Sequence, residues 1–190
     1  MSELYVALIH HPVVDKLGRT VTSSVTNIDV HDIARSCRTY GARAFYVVTP
    51  VDALRGLVRR IMHHWDEGPG RAYNPNRTDA LATVRLERTL DGAEIDIERL
   101  HGIAPSLIAT SARITESGPP MLEFGALRER LNEDSGRPVL MLLGTAWGLA
   151  PSVLERCEGL LPPICGPTDY NHLSVRAAAA VLLDRLRSTS

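Results

Sequence analysis

Two loops contain the residues whose types and spacing are best suited to binding a ligand. In the first, LLGTAWGLA (residues 142–150), Gly144 and Gly148 stand four residues apart directly after a strongly apolar run. Glycines in such a place let a ligand approach backbone N–H and C=O groups. The segment matches neither a Walker phosphate loop nor the G-x-G-x-x-G pattern. A ligand-binding loop and a tight turn with Trp147 packed in the core are therefore both open.

The second loop, CGPTDYNH (residues 165–172), leads into the last predicted helix and its four successive alanines, residues 177–180. Small side chains at these positions let another backbone or helix come close. Polar side chains cluster just before them, at Asp169, Tyr170, Asn171, His172 and Ser174. The pattern suits a ligand pocket beside a tight packing interface, and a capped helix with a small-residue face is the simpler alternative.

A third candidate is a basic row on the predicted helix of residues 51–65. Arg55, Arg59 and His63 recur at spacings of four, and Arg60 and His64 form an adjacent row. Such a face either contacts only solvent or binds phosphate. Both interpretations stay open on the sequence alone.

The histidine pairs and the cysteines do not indicate a metal site or a nucleophile. Adjacent histidines, as at 10–11 and 63–64, point in different directions on a helix and to opposite faces of a strand. The three cysteines, Cys37, Cys157 and Cys165, are far apart and lack a C-x-x-C pairing. No G-x-S-x-G motif occurs. We expect no bound metal, no disulfide framework and a reducing, cytoplasmic location.

Apolar runs of strand length alternate with amphipathic runs of helix length, which predicts one α/β domain over residues 1–190. About six strands are predicted, at residues 4–10, 44–50, 85–89, 105–112, 137–145 and 159–164. Helices are predicted at residues 27–41, 51–65, 78–84, 93–101, 124–131, 151–157 and 173–187. The unbroken apolar character of residues 137–145 is typical of a parallel strand covered on both faces.

Two polar segments are predicted to be irregular. Residues 15–27 are rich in Ser, Thr and Gly, and residues 68–77 consist of turn-forming residues. Ligands of parallel sheets bind at the carboxyl ends of the strands. The loops expected there are Thr110–Ser111–Ala112, residues 144–150 and residues 164–171.

Composition limits the kinds of partner. The chain has 190 residues, 44% of them hydrophobic, enough for a substantial core. Its 21 Lys+Arg against 22 Asp+Glu give a formal net charge of -1, so a nucleic-acid site would have to be a local patch. We expect no membrane span and no export signal, since the sequence has neither an apolar run of spanning length nor an N-terminal signal pattern.

Three segments resemble, in order, the motif regions of the SPOUT superfamily of RNA methyltransferases. They are TNIDVHDIARSCRTYGARAFYVVTP (26–50), PVLMLLGTAWGLA (138–150) and LPPICGPTDYNHLSVRAAAAVLLDRL (161–186). The similarity extends over essentially the whole chain. It is greatest to a bacterial branch of stand-alone or fused domains, in which segments like LYVALIHHPVVDKLGRTV and HHWDEGPGRAYNPNR also occur.

This resemblance implies an α/β fold with a mostly parallel sheet, helices on both faces and a deep trefoil knot at about residues 105–188. It also implies a homodimer and S-adenosylmethionine, with S-adenosylhomocysteine as product, held by three loops. The implied cofactor-binding residues are Thr110, Ser111, Ala112, Leu143, Gly144, Thr145, Trp147, Gly148, Ile164, Gly166, Tyr170, Asn171, Leu173 and Ser174.

The motifs also differ from the ribose-methylating branch of the family. Arg35 carries over, but Asp29 stands where that branch has an asparagine, and no acid lies between Gly144 and Gly148. Ribose and base methylation therefore both stay open. The catalytic candidates are Arg35, Asp169 and His172, with Asp29 a further candidate base.

The implied substrate is tRNA or rRNA, bound through a local basic surface. The arginines expected to form that surface are Arg38, Arg55, Arg59 and Arg60. Because the glycine loop lacks the acid, the alternative is a non-catalytic domain that binds cofactor or RNA for a partner RNA-modification protein. An unrelated α/β enzyme acting on small molecules is disfavoured, since no nucleophile or phosphate motif is present.

Overall fold

A computed structural model describes residues 2–113, 118–133 and 136–189, and its centre is a parallel sheet. The six strands of this sheet are β1 (Leu4–Ile9), β4 (Phe45–Val48), β5 (Val84–Glu87), β6 (Ser106–Thr110), β7 (Val139–Gly144) and β8 (Gly159–Leu161). Their spatial order is β5-β4-β1-β7-β6-β8, and every neighbouring pair is parallel. The predicted parallel sheet is confirmed, and each predicted strand corresponds to one observed strand.

Helices cover both faces of the sheet. They are α1 (Asn27–Thr39), α2 (Asp52–Asp66), α3 (Gly70–Tyr73), α4 (Pro75–Leu81), α5 (Leu90–His101), α6 (Phe124–Asn132), α7 (Pro151–Leu154) and α8 (Val175–Arg187). On one face, α1, α2, α4, α6 and α8 contribute buried apolar residues. On the other, α5 and α7 do so. Among the described residues, no helix is both long and apolar enough to cross a membrane.

The double coverage explains the unbroken apolar strands. Side chains alternate between the two faces of a strand, so in β1 Leu4, Val6 and Leu8 join one core and Tyr5 joins the other. All six residues of β1 are buried. A strand that is buried on both faces is therefore composed almost entirely of apolar residues.

Side-chain caps fix the beginnings of the two helices nearest the predicted site. The Thr26 hydroxyl accepts a hydrogen bond from Asp29 N–H at 3.3 Å and donates to the Asp29 carboxylate at 2.6 Å. The Ser174 hydroxyl accepts from Ala177 N–H at 3.3 Å and so starts α8 at Val175, two residues later than predicted.

Both segments predicted to be irregular contain regular structure. Within residues 15–27, β3 (Thr20–Val21) pairs antiparallel with β2 (Val13–Val14). Residues 68–77 contain α3 and the start of α4. The turn-forming residues serve as helix starts here, because Asn74 caps α4 by accepting from Arg77 N–H at 3.1 Å and Pro75 occupies the first turn. The prediction for residues 68–77 was wrong for that reason, and the prediction for residues 15–27 was wrong because part of that segment pairs with β2.

Candidate functional site

A cavity of about 560 Å³ lies at the carboxyl edge of the sheet, and we call it the strand-end cavity. Its walls come from the segments that follow β6, β7 and β8, together with the start of α1 and one face of α8. The register of the sheet brings these segments together, since Ile9 pairs with Gly144 and Thr110 with Leu161. All three loops selected from the sequence therefore meet at one place.

Eleven of the fourteen residues expected to bind cofactor line this cavity. They are Thr110, Ser111, Ala112, Leu143, Gly144, Thr145, Trp147, Gly148, Ile164, Asn171 and Leu173. The other three do not line it: Gly166, Tyr170 and Ser174. Ser174 is instead the cap of α8, and Tyr170 is 73% exposed with its ring packed edge-on against His172.

Of the catalytic candidates, His172 lines the strand-end cavity, whereas Asp169 and Arg35 do not. Arg35 lines a separate groove on the other side of α1. Asp29 does line the cavity, and its carboxylate faces Arg176 Nη1 at 3.3 Å. These two groups join the starts of α1 and α8 at the cavity wall.

The sequence analysis missed several residues of the wall. They include Ser23, Ser24, Arg113, Ala146, Pro162, Val175, Ala178 and Leu182. The serines belong to the polar segment that had been predicted as an irregular loop. Its length and richness in hydroxyl side chains were the available signal, since functional loops are often of this kind.

The glycine loop has a defined backbone shape. A Cβ on Gly144 would lie 2.8 Å from the backbone nitrogen of Leu149, and Gly148 has a φ of +118°. Both positions therefore require glycine for the fold of the loop itself. Val14 secures the loop by donating to Gly148 O and accepting from Trp147 N–H, both at 3.0 Å. Trp147 is 53% exposed, so of the two interpretations left open by the sequence, the one with Trp147 packed in the core is wrong.

A chain of hydrogen bonds lies against this loop. The Thr145 hydroxyl donates to the Ile9 carbonyl at 2.9 Å, so the Ser23 hydroxyl, 2.5 Å from Thr145 Oγ1, must donate to Thr145. Ser23 then accepts from His10 Nδ1, which is 2.9 Å away and must carry the proton. His10 Nε2 is left as a buried acceptor without a hydrogen-bond partner.

The environment keeps His10 uncharged. The residue is fully buried, and this burial lowers the pKa of its imidazole to about 4, against a smaller opposing effect of the Asp29 carboxylate. A neutral His10 with its proton on Nδ1 orients Ser23 and Thr145, both of which line the strand-end cavity. His10 is thus a supporting residue that sequence reasoning had considered only as a metal ligand.

One contact closes the cavity between its first and third loops. Asn171 Nδ2 donates to the Ala112 carbonyl at 2.7 Å, which joins segments 59 residues apart in sequence. Apolar side chains, including Leu143, Ile164 and Leu182, form the remaining part of the wall. The cavity therefore offers both an apolar surface and a set of hydroxyl, amide and backbone groups.

The four arginines expected to contact RNA have different environments. Arg55 is 8% exposed, with Nε and Nη1 buried without hydrogen-bond partners, so it does not belong to an exposed row. Arg38 is paired with Asp79 at 2.7 Å. Arg59 is exposed outside both cavities, and Arg60 lines the same groove as Arg35. In the row predicted on α2, Arg55 is thus buried and Arg59 and Arg60 are exposed, whereas Arg38 on α1 is held in an ion pair.

The cysteines offer no activated nucleophile among the described residues. Burial raises the pKa of the Cys37 thiol, and it raises the pKa of the Cys157 thiol to about 12. Cys165 is exposed but is not part of the strand-end cavity. The chemistry of the cavity must therefore come from a bound reagent and from the polar groups of its wall.

A parallel α/β sheet with a cavity at the carboxyl edge of its strands is the arrangement in which α/β proteins bind small ligands. Residues 3–188 match the family described as SAM-dependent RNA methyltransferase, and the chain belongs to this family. The resemblance noted in the motifs is confirmed, and S-adenosylmethionine is the cofactor on which the family depends.

Relatives of very different length match this chain. A protein from Oleidesulfovibrio alaskensis named tRNA (guanine-N(1)-)-methyltransferase is 48% identical over 183 residues, which is 96% of this chain and 41% of that protein. An uncharacterized protein from Aquifex aeolicus is 39% identical over 187 residues, 98% of this chain and 89% of that protein. The chain thus spans about two fifths of the first relative and most of the second.

Solved structures share the fold at low sequence identity. TrmJ from Z. mobilis ZM4 superposes with a TM-score of 0.61 at 16% identity, over 100% of this chain and 71% of that chain. At this identity the similarity concerns the fold alone. It confirms the SPOUT-type α/β architecture expected from the motifs.

The residues present fit S-adenosylmethionine. A cavity of about 560 Å³ is within the range of sites for ligands of this size. Leu143, Ile164 and Leu182 give an apolar surface suited to an adenine ring, while Ser111 and Asn171 bring polar groups suited to a ribose or an amino-acid group. The mixture of donors and acceptors matches a molecule that is part aromatic and part zwitterionic.

Proposed function

We propose that this chain binds S-adenosylmethionine in the strand-end cavity and methylates a nucleotide of tRNA or rRNA, leaving S-adenosylhomocysteine. The observation that carries the proposal is the convergence of three sequence-distant loops on one cavity, closed by the hydrogen bond from Asn171 to Ala112. The fourteen positions implied by the motifs are the proposed binding residues, and eleven of them line the cavity.

The chemistry required of the protein is limited. The sulfonium of the cofactor makes its methyl group electrophilic. The protein must orient the acceptor atom toward the cavity and remove one proton. His172 lines the cavity and is exposed, so it is the proposed proton acceptor. Asp29 is less suited, because Thr26 and Arg176 already donate to its carboxylate.

Arg35 and Asp169 remain proposed catalytic residues, on the condition that RNA binding or a second copy of the chain brings them to the acceptor. Neither lines the strand-end cavity of the single chain. Each would have to reach the acceptor through the RNA-bound state or from a second copy of the chain. We propose a homodimer with the knotted crossing at about residues 105–188 and a cytoplasmic location. Exposed apolar side chains beside the cavity, Trp147 and Leu173, support a covered surface there.

The acceptor atom is proposed from the chemistry and from the relatives. The name of the Oleidesulfovibrio relative indicates that its acceptor atom is N1 of a tRNA guanine. This chain matches 41% of that protein. The asparagine and the glycine-loop acid of the ribose-methylating branch are absent here. A base nitrogen is therefore the first acceptor to test, and the ribose 2′-hydroxyl is the second.

An accessory role is the second candidate function. The match of 183 residues covers less than half of the Oleidesulfovibrio protein. In that role the chain would bind cofactor or RNA on behalf of a separate RNA-modification protein. The Gly144–Gly148 loop without an acid favours this alternative, since it leaves fewer groups for proton transfer.

Calorimetric titration with S-adenosylmethionine and S-adenosylhomocysteine tests the cavity. Asn171→Ala removes the hydrogen bond from Asn171 to Ala112, worth about 1 kcal/mol, so we expect both ligands to bind roughly fivefold more weakly. Asn132→Ala, at an exposed position of α6, is the matched control and should bind as wild type. Failure of the wild-type protein to bind either ligand would contradict the proposal.

Transfer of a labelled methyl group distinguishes the two functions. Wild-type protein incubated with unmodified bulk tRNA or rRNA should transfer label, and nucleoside analysis of the product identifies the acceptor atom. Binding of cofactor without transfer to either RNA would favour the accessory role. Loss of transfer in His172→Gln with cofactor binding retained would support His172 as the proton acceptor.

A further inference from the structure

A second groove, of about 780 Å³, lies on the other side of α1 between α2 and α4. We call it the arginine groove. Three guanidinium groups line it, those of Arg35, Arg60 and Arg77, together with His31 and His64. Neither the match to the family nor the names of the relatives assigns a role to this groove.

The groove depends on a rigid centre at Trp65. The Arg77 guanidinium lies 4.9 Å from the centre of the Trp65 ring, and the rings of His31 and His64 pack edge-on at 5.9 and 5.1 Å. A Cβ on Gly70 would lie 2.7 Å from the Trp65 ring, so glycine is required for this packing.

The segment HHWDEGPGRAYNPNR forms part of the wall of the arginine groove. Thr78 Oγ1 donates to the Trp65 carbonyl at 2.9 Å, and Asn74 caps α4 through Arg77 N–H. These bonds place Arg77 over the ring. Buried Arg77 Nε has no hydrogen-bond partner. The strand-end cavity uses none of these residues.

Arginines outnumber acids in the lining of the groove, although the net charge of the chain is -1. In the described part of the chain, neither Arg35 nor Arg60 forms an ion pair or a side-chain hydrogen bond. Asp32, the one acid among the described residues that line the groove, lies 3.5 Å from Arg176. Free guanidinium groups in this arrangement suit the oxygens of phosphodiesters.

We propose that the arginine groove binds the phosphodiester backbone of the substrate RNA, beside the nucleotide that enters the strand-end cavity. This inference rests on the proposed function. Helix α1 connects the two sites, with Asp29 in the wall of the cavity and Arg35 in the groove. The six residues from Asp29 to Arg35 correspond to a rise of about 9 Å along the helix, and a single bound RNA strand can span this distance. Arg60 and Arg77 position the RNA, and the reacting atoms lie elsewhere.

Fluorescence anisotropy with a labelled oligouridylate and with unmodified tRNA tests the groove. Arg60→Gln is compared with Arg59→Gln, which makes the same charge change at the neighbouring exposed residue of α2 outside the groove. We expect Arg60→Gln to weaken RNA binding roughly tenfold and to lower the salt slope by about 1, and Arg59→Gln to change affinity less than twofold. Arg77→Gln should act in the same direction.

Three further readouts separate the possible outcomes. Cofactor binding should stay unchanged in Arg60→Gln, with a raised KM for RNA and an unchanged kcat. Suppose that the wild-type protein binds cofactor and methylates RNA, but that Arg60→Gln and Arg59→Gln weaken RNA binding equally. That result would overturn the proposed role of the groove and leave the proposed function intact. Absence of cofactor binding in wild type would instead overturn the proposed function. A change in sedimentation of Arg60→Gln would assign the groove to contact between copies and overturn the inference.

Discussion

The strand-end cavity and the arginine groove lie on two sides of α1, and they are built in opposite ways. The cavity is enclosed by loops from segments far apart in sequence, and its walls consist of small, apolar and hydroxyl side chains with few charges. The groove is formed by three helices and is lined by three arginines and two histidines. One site depends on backbone shape and the other on charge.

This difference separates two tasks of one reaction. A small cofactor with many different groups is recognised by a fixed arrangement of backbone and side-chain donors, which tolerates little displacement. A nucleic-acid backbone repeats one anionic group, and cationic side chains bind it without a shaped pocket. Substitutions should therefore affect the cavity through geometry and the groove through electrostatics.

The largest expected effect concerns His10, buried behind the wall of the cavity. Its pKa is lowered to about 4 in the folded protein from 6.5, so below pH 6.5 the unfolded chain binds a proton that the folded chain does not. Stability should thus fall as the pH falls from about 6.5 to 4, by about 3 kcal/mol from this group. Urea unfolding of wild type and His10→Phe across this range measures the effect.

The variant should lose that part of the pH dependence while keeping a planar aromatic ring at this position. If His10→Phe loses stability with acid as steeply as wild type, the dependence comes from other groups. If Ser23 and Thr145 lose their orientation without His10, cofactor binding at neutral pH should also weaken in the variant. That result would show that the shape of the cavity also depends on the buried residues behind its wall.

The next effect concerns the backbone of the glycine loop. Gly144→Ala places a Cβ 2.8 Å from the Leu149 backbone nitrogen, and overpacking of this kind costs about 2 kcal/mol. We expect a lower melting temperature and cofactor binding weakened by more than roughly tenfold. Gly125→Ala in α6 meets no atom within 4 Å and is the matched control, expected to keep or raise stability. RNA affinity should change little in either variant.

Unchanged cofactor binding in Gly144→Ala would mean that the loop adapts. The contrast between a shaped cavity and a charged groove would then weaken. A large loss of RNA affinity in the same variant would show that the two sites depend on each other, which their separate lining residues do not predict.

The smallest expected effect concerns Arg38, which the sequence suggested as an RNA contact. Asp79 neutralises its guanidinium at 2.7 Å, and both side chains are more than half exposed. We expect Arg38→Gln to change the free energy of unfolding by less than about 0.5 kcal/mol, since exposed pairs contribute little. RNA affinity, measured by anisotropy, should change less than twofold. A tenfold loss would extend the RNA path beyond the arginine groove.

Periodicity predicted most of the fold because it is a local property. The apolar run of residues 137–145 predicted β7, and the spacing of Val30, Ile33 and Cys37 predicted α1, since each pattern records burial of one element. The irregular segments were harder. Asn74 and Pro75 occur in turns and at helix starts alike, so their types do not separate the two.

The candidate site was predictable as far as it consists of loops after strands. Thr110, Gly144 and Asn171 were placed correctly in one cavity because parallel strands end at a common edge. Arg55 and Arg60 could not be distinguished by spacing, because both lie on one helix and only its packing shows that Arg55 is buried and Arg60 exposed. Ser23 was missed because its segment has no periodic pattern.

The sequence by itself determined the succession along the chain of the six sheet strands and the longer helices, the two-sided burial of the sheet and the motifs that place the chain in its family. These depend on residue type and on distances of a few residues. The tertiary structure alone decided that His10, Ser23 and Thr145 form one hydrogen-bonded chain and that Asn171 reaches Ala112. It also decided that Arg35 and Asp29 face different sites. Such contacts join residues whose separation in sequence carries no information about their distance in space, because strand register and helix packing set that distance.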